Sequence, residues 1–150
     1  MNYHMELDDK DLKLLALLEQ DSRQTNAELA EKVGMSTSAC WRRIRAFEEE
    51  GIIERYGAVL NHAKMGQGFH AVIHVQLVRH DPEGVRNFNR SVVLCPEVQE
   101  CFATTGQADY HIRVRCRDIA AYNTFLEEVL FRLPAVSSAQ TNVILRELKR

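Results

Sequence analysis

The stretch from Thr25 to Phe47 constrains the fold of this chain most, because its residues indicate two short helices that meet at a glycine. Thr25 and Glu28 have the spacing of a capping box, which predicts a helix start. Gly34 stands where a left-handed residue ends that helix, and Ser36 can cap the next one. The first helix carries a small apolar stripe at helical spacing: Ala27, Ala30 and Val33. The pattern predicts a helix-turn-helix.

The second predicted helix, from Ser36 to Phe47, has a packing side and a free side. Cys40, Ile44 and Phe47 fall on one side, with Thr37 near them. Small residues near its start would let it approach the floor of a DNA groove, and its arginines suit phosphates and guanine edges. The residues predicted to bind DNA are Thr25, Ser36, Thr37, Ser38, Ala39, Arg42, Arg43 and Arg45.

Two plainer interpretations of this helix pair remain open at this point. The segment could be a helical hairpin whose arginines are merely solvated. Trp41, at the border of the packing side, is expected to be half-buried packing rather than a base reader.

Charge argues that one copy of such a module would bind DNA weakly. Through Leu60 the chain has eight Lys and Arg against twelve Asp and Glu, a net charge of −4, and the whole chain is at −2. Because phosphate affinity depends on charge within about a Debye length, arginines clustered on one helix can still suffice. We therefore expect several copies to act together.

The flanking residues complete a first domain, predicted to span residues 1–60. A first helix is expected over Leu7–Gln20, with Asp8 or Asp9 as its cap and Leu14, Leu15 and Leu18 as its packing face. Gly51 is expected to end the recognition helix, and residues 54–60 are expected to form a short strand or β-arm. Residues 61–68 have the glycines and polar residues of a hinge.

Beyond the hinge, residues 69–150 are predicted to form a second domain, because the apolar period changes from helical to two. Helices are expected after the caps Asp81 and Asp118. The predicted strands are 69–77, 98–105, 109–117 and 136–148. The order β-α-β-β-α-β predicts a ferredoxin-like sheet with both helices on one face. Val72, Val78 and Ala103 or its neighbours would lie on the open face, the expected dimer interface.

The fold class is therefore α+β: an N-terminal three-helix, winged-type helix-turn-helix domain and a C-terminal ferredoxin-like βαββαβ domain. No apolar run is long enough to cross a bilayer and the first residues are acidic, so a soluble, cytoplasmic protein without a membrane partner is expected. The four cysteines show no CxxC spacing, which favours buried reduced thiols.

The sequence contains no recognisable catalytic motif, because it shows no nucleophile paired with a base, no phosphate-binding loop and no carboxylate pair. No catalytic residue is therefore predicted. No cofactor is expected either. A metal site remains a remote alternative, since His70 and His74 share a strand face that His111 could approach from a neighbouring strand.

The chain resembles the leucine-responsive/asparagine-regulator (Lrp/AsnC) family of bacterial and archaeal transcription regulators over essentially its whole length. The residues that carry the resemblance are Leu7-Asp8-Asp9-Lys10-Asp11, the helix pair Asn26–Arg43, the Gly51-Ile52-Ile53 exit, and Gly106-x-x-Asp109-Tyr110. The resemblance implies a sequence-specific regulator of double-stranded DNA that forms homodimers and assembles further to tetramers or octamers. A regulator that organises DNA without a ligand is the alternative.

The resemblance also implies a small amino-acid effector, bound between dimers near the turn after the second strand. The positions carried over as effector-binding are Thr104, Thr105, Gly106, Gln107, Ala108, Asp109 and Thr141. Backbone N–H groups at a glycine turn can hold a carboxylate, and Asp109 can pair with an ammonium. The plainer alternative is that Gly106 only permits the turn and that Asp109 only bonds backbone N–H groups. The position after Gly106 is often acidic or aromatic in relatives, and here it is Gln107.

Overall fold

The computed structural model describes residues 5–78 and 81–149, and the chain divides into two compact units, Met1–Val59 and Leu60–Arg150. The first unit holds three helices: α1 (Asp9–Gln20), α2 (Asn26–Val33) and α3 (Thr37–Glu49). No helix in the described residues is both long and apolar enough to span a membrane.

The helices of the first unit begin and end where the capping residues predict. Asp8 caps α1 and Thr25 caps α2, each in a complete capping box, and Ser36 caps α3. Gly34 ends α2 with φ 75°, and Gly51 follows α3 with φ 71°. The core contains Leu14, Leu18, Leu29, Ala30, Val33, Cys40, Ile44 and Phe47.

Two expectations for this unit are wrong. Ala27, predicted to lie on the packing face of α2, is exposed. The buried face consists of Leu29, Ala30 and Val33 instead, so it is rotated away from the position of Ala27. Residues 54–60 carry no strand in the described chain. A strand needs a hydrogen-bonded neighbouring strand, and none of the four strands in the described residues pairs with that segment.

The second unit is a four-stranded antiparallel sheet covered on one face by two helices. Its elements are β1 (Phe69–Leu77), α4 (Pro82–Leu94), β2 (Val98–Ala103), β3 (Tyr110–Cys116), α5 (Ile119–Glu128), a 3₁₀ turn (Leu130–Arg132) and β4 (Val136–Val143). The strand order β2-β3-β1-β4 is that of the ferredoxin-like fold and confirms the fold class. Residues 62–66, in the predicted hinge, form a hydrogen-bonded turn with Gly66 at φ 79°.

The strand register separates a helix-covered face from an open face. Alternate β1 residues, including Ile73 and Val75, are fully buried beneath the helices. Ala103 pairs with Tyr110, whose ring contacts Phe88 of α4, so Ala103 belongs to the covered face and not to the open one. Its neighbour Phe102 pairs with His111 on the open face and is exposed.

Candidate DNA-binding surface and ligand cleft

The corner between α2 and α3 is held by backbone and side-chain hydrogen bonds. Gly34 donates its N–H to the Ala30 carbonyl, and Lys10 of α1 donates from Nζ to the Gly34 carbonyl at 2.9 Å. The Ser36 hydroxyl accepts from the Ala39 N–H at 3.2 Å. These bonds satisfy the exposed ends of both helices and fix the corner between them.

One exposed stripe of α3 and its border carry four of the eight residues predicted to bind DNA. Ser38, Arg42 and Arg45 follow one another at helical spacing and are all exposed, and Thr37 is exposed beside them. Trp41 lies on the same stripe and is 54% exposed, so the sequence reasoning that treated it mainly as packing did not identify it as part of this surface.

The two arginines of the stripe differ in their surroundings. Arg45 lies 3.6 Å from both Glu48 and Glu49 on its own helix, which offsets part of its charge. Arg42 makes no ion pair among the described residues. Arg42 is therefore the cation of this helix that is most available to a partner.

Arg43, one of the residues predicted to bind DNA, forms an ion pair within the first unit. Its Nε and Nη2 both donate to the carboxylate of Asp11, and Nη2 also lies 3.4 Å from the Glu6 carbonyl. The Asp11 side chain is 1% exposed. Hydrogen bonds from Arg43 lower the pKa of Asp11 despite its burial, and the same contact raises the pKa of Arg43.

Two further residues of the predicted set also have local roles. The Thr25 hydroxyl accepts from the Glu28 N–H and donates to the Glu28 carboxylate, so it is occupied by the capping box. The Thr25 backbone N–H also donates to the Glu28 carboxylate, and this bond, followed by that from the hydroxyl, lowers the pKa of Glu28. Ala39 is partly buried behind the stripe.

In the second unit, Asp109 braces the end of β1. Its carboxylate accepts the Leu77 N–H at 2.7 Å, and its own N–H donates to the Val75 carbonyl at 2.9 Å. The Thr104 N–H in turn donates to the Asp109 carbonyl. This is the plainer role considered for Asp109, and it leaves its carboxylate engaged by the backbone. Gly106 has φ 113°, a conformation that favours glycine.

A cleft of about 510 Å³ opens beside this turn. Thr105, Gln107 and Ala108 line it, as predicted for a ligand site at this turn. Six lining residues were missed, because only the register of three strands brings them together: His74, Gln76, His111, Ser138, Ala139 and Gln140.

The other predicted effector residues lie outside the lining of this cleft. Thr104, Gly106 and Asp109 belong to the turn but do not line the cleft. Thr141 pairs with the buried Ile73, and its hydroxyl is hydrogen-bonded to that of Tyr122 of α5. It therefore lies on the helix-covered face and does not line this cleft.

The three histidines weighed as a metal site are not brought together. His74 pairs with His111 across the strands, with ring centroids 4.4 Å apart. His70 instead pairs with Arg115, and its Nδ1 lies 3.0 Å from Glu147. In the described residues no group of three metal-binding side chains forms.

The cysteine thiols are not poised for chemistry. All four are free, and burial raises the pKa of each, that of Cys95 to about 11. A thiol with a raised pKa is a weak nucleophile because the thiolate is scarce.

An exposed basic helix on a helix-turn-helix unit, joined to a ferredoxin-like unit with a cleft beside its β2–β3 turn, defines a two-domain DNA-binding transcription regulator with a ligand-binding domain. The chain belongs to the Lrp/AsnC family. Residues 70–150 match the Lrp/AsnC ligand-binding domain and residues 7–54 match a winged helix-turn-helix DNA-binding domain. The resemblance inferred from the sequence is confirmed.

Relatives agree over nearly the whole length. The leucine-responsive regulatory protein of Escherichia coli K12 is 35% identical over 145 residues, which cover 97% of this chain and 88% of that protein. A transcriptional regulator from Neisseria meningitidis, solved in complex with L-Met, matches with a TM-score of 0.92 and 36% identity over 97% of this chain and 94% of that one. An AsnC family regulator from Agrobacterium tumefaciens matches with a TM-score of 0.89 and 33% identity, over 96% and 94% of the two chains.

Proposed function

We propose that the exposed stripe of α3 reads double-stranded DNA in the major groove, with Arg42 as its principal base-reading residue. The observation that carries this assignment is the division between the neighbouring arginines. Arg42 is exposed and unpaired within the described chain, whereas Arg43 is bound to Asp11. Exposed arginines on a recognition helix can bind guanine edges with two hydrogen bonds.

We test this assignment by selecting duplexes from a random-sequence pool with the full-length protein and measuring affinity for selected and unselected DNA. Arg42→Ala is expected to weaken binding to the selected duplex by about 1–3 kcal/mol and to relax the selected sequence. Arg90→Ala, at an exposed position on α4 in the other unit, is the matched control. Equal selectivity in Arg42→Ala and the parent would remove the assignment.

We further propose that a small amino acid bound in the cleft beside the β2–β3 turn modulates DNA binding. Two observations support this: the cleft lies in the region that matches a ligand-binding domain, and the Neisseria relative was solved with L-Met. The ligand-independent DNA organiser is not favoured for the same reason. A coupling free energy of about 1–3 kcal/mol between effector and DNA is expected.

A thermal-shift panel with the twenty amino acids at millimolar concentration tests the effector, because a ligand of the native state raises the melting temperature. A DNA-affinity measurement with and without the stabilising amino acid then tests the coupling. If no amino acid raises the melting temperature, effector control by amino acids is wrong, while the DNA-binding assignment stands on its own experiment.

We propose finally that the protein forms homodimers through the open face of the sheet. These dimers assemble further to tetramers or octamers, and the protein acts in the cytoplasm. The open face carries Val72 and the exposed Phe102 among polar side chains, as an interface between copies would. Light scattering coupled to size exclusion tests the assembly. A Phe102→Asp variant is expected to shift the protein toward smaller species, and an unchanged mass would place the interface elsewhere.

A further inference from the structure

We propose that Trp41 of α3 contacts the 5-methyl group of a thymine in the major groove, and that this contact makes the protein select thymine at one position of its DNA site. This inference rests on the proposed function, since it takes the exposed stripe of α3 as the DNA-binding surface. It adds a second specificity-determining residue beside Arg42, together with the base that this residue recognises.

Trp41 is unusually exposed for a large aromatic side chain. It is 54% exposed, whereas the core of the same unit buries Phe47 completely. The indole N–H of Trp41 makes no hydrogen bond within the described residues. Leaving a ring of this size in water forgoes the free energy of burying it. A partner that covered the exposed part of the ring would recover that free energy.

The neighbours of Trp41 on the helix surface suit a DNA partner. Ser38 precedes it by three positions and Arg45 follows it by four, so both lie beside the ring, and both are exposed. Arg42 is the next residue along the chain and is also exposed. A duplex held against α3 by these arginines would therefore also cover the exposed part of the Trp41 ring.

The rest of the Trp41 ring is supported by the first unit. Trp41 lines a groove of about 300 Å³ together with Ile44 of the core. The one carboxylate of that lining, on Glu48, accepts the Tyr56 hydroxyl at 2.8 Å and lies 3.6 Å from Arg45. The groove beside the ring therefore repels phosphate less than a free carboxylate would. A tryptophan has only two side-chain torsions, so ordering it on DNA costs little entropy.

The chemistry of an indole favours thymine among the four bases. The ring is apolar and its N–H only donates, so Trp41 has no acceptor for the amino groups that adenine and cytosine present in the major groove. Guanine presents two acceptors there, which arginine binds better. Thymine alone presents a methyl group, and contact with it removes apolar surface of both partners from water.

Replacement of thymine with deoxyuridine tests this contact, because the two bases differ only by the methyl group. Each thymine in the duplex selected by the full-length protein is replaced in turn, and affinities are measured at one salt concentration. At one position the parent is expected to bind the deoxyuridine duplex about fourfold more weakly, the factor for burying one methyl group. Trp41→Ala is expected to bind the thymine and deoxyuridine duplexes equally at that position.

Two further variants make the comparison specific. Trp41→Gln replaces the ring with an amide, has the same expected result as Trp41→Ala, and decides the question if Trp41→Ala does not fold. Leu12→Ala is the matched control, because Leu12 is also 54% exposed but lies on α1. It should retain the full preference for thymine. Since the preference is a ratio measured within one protein, a general loss of affinity does not imitate the expected result.

The outcomes distinguish this inference from the proposal on which it rests. If no thymine of the selected site can be replaced with a loss of affinity in the parent, the contact with thymine is wrong. A full preference for thymine in Trp41→Ala or Trp41→Gln would overturn it equally, and in both cases the assignment of Arg42 would stand. If the parent selects no DNA sequence at all, base reading by α3 is itself wrong.

Discussion

Arg43 of α3 and Asp11 of α1 form a two-pronged ion pair across 32 positions of sequence, with the Asp11 side chain almost fully buried. The same carboxylate accepts the Asp8 N–H in the capping box of α1. The Arg43 guanidinium also lies over the Phe47 ring, with its carbon 5.8 Å from the centroid. One carboxylate thus ties the start of α1 to the recognition helix and engages two of the three guanidinium nitrogens of Arg43.

Breaking this pair from one side should destabilise the N-terminal unit. Arg43→Met leaves the buried Asp11 carboxylate unpaired and should lower the free energy of unfolding by about 3 kcal/mol. The double variant Asp11→Leu, Arg43→Met removes both charges and should recover most of that loss. Urea unfolding followed by the fluorescence of Trp41, the single tryptophan, measures both. Arg42→Met is the control and should change stability by no more than about 0.5 kcal/mol. A double variant as unstable as Arg43→Met would contradict the pairing.

The same pair predicts an acid dependence of stability. Arg43 lowers the pKa of Asp11 in the folded state, so the contribution of the pair is fully present above the unfolded pKa of about 4. It is lost as the pH falls through the lower folded value. Urea midpoints measured from pH 7 down to pH 3 should therefore fall more in the parent than in the Asp11→Leu, Arg43→Met double variant. If the urea midpoints of the two proteins fall in parallel with pH, the pKa of Asp11 is the same in the folded and unfolded states, and the prediction is wrong.

Asp109 should matter to the C-terminal unit even without a ligand. Asp109→Ala removes the acceptor of the Leu77 N–H, for an expected loss of about 1–2 kcal/mol, while Asp109→Asn keeps a side-chain oxygen and should lose less. Amide hydrogen exchange at Leu77 is the local readout and should accelerate in Asp109→Ala. Unchanged protection there would mean that the bond is not formed in solution.

Gly34 should tolerate alanine poorly for a purely conformational reason. A Cβ at Gly34 meets nothing within 4 Å, but the residue has φ 75°, so Gly34→Ala should cost roughly 1 kcal/mol. Gly57→Ala is matched, because Gly57 is equally open and lies outside the left-handed region. Its stability, measured by the same Trp41 fluorescence in urea, should be unchanged or slightly higher. Equal losses at both positions would exclude backbone strain as the cause.

Local chemistry explains why the helices and their ends were predictable. Capping by Asp8, Thr25 and Ser36, and the left-handed glycine at position 34, depend on residues within four positions of one another. The same holds for the period-two burial of β1. The described residues 54–60 carry no strand, although a strand or β-arm was predicted there. Strand formation depends on hydrogen bonds to a neighbouring strand, and a local sequence pattern does not reveal whether such a strand is present.

The sites were only partly predictable. The sequence indicated that the turn around Gly106 would border a ligand site, and three of its residues do line the cleft. Residues such as His74 and Gln140 could not be assigned to it, because they are 66 positions apart and meet only through the register of β1 and β4. Thr141 follows Gln140 directly, and one step of the same alternation places its side chain on the opposite face of the sheet.

The sequence by itself determined the two-unit plan, the helix ends, the ferredoxin-like order and the family, because caps, glycines and apolar periods act between near neighbours. Tertiary structure alone decided which arginine is free and which polar groups share a cleft. Arg42 and Arg43 are adjacent and chemically identical, and only the packing of α1 against α3 brings Asp11 to one of them. A side chain's function here depends on its partner, and that partner is set by contacts distant in sequence.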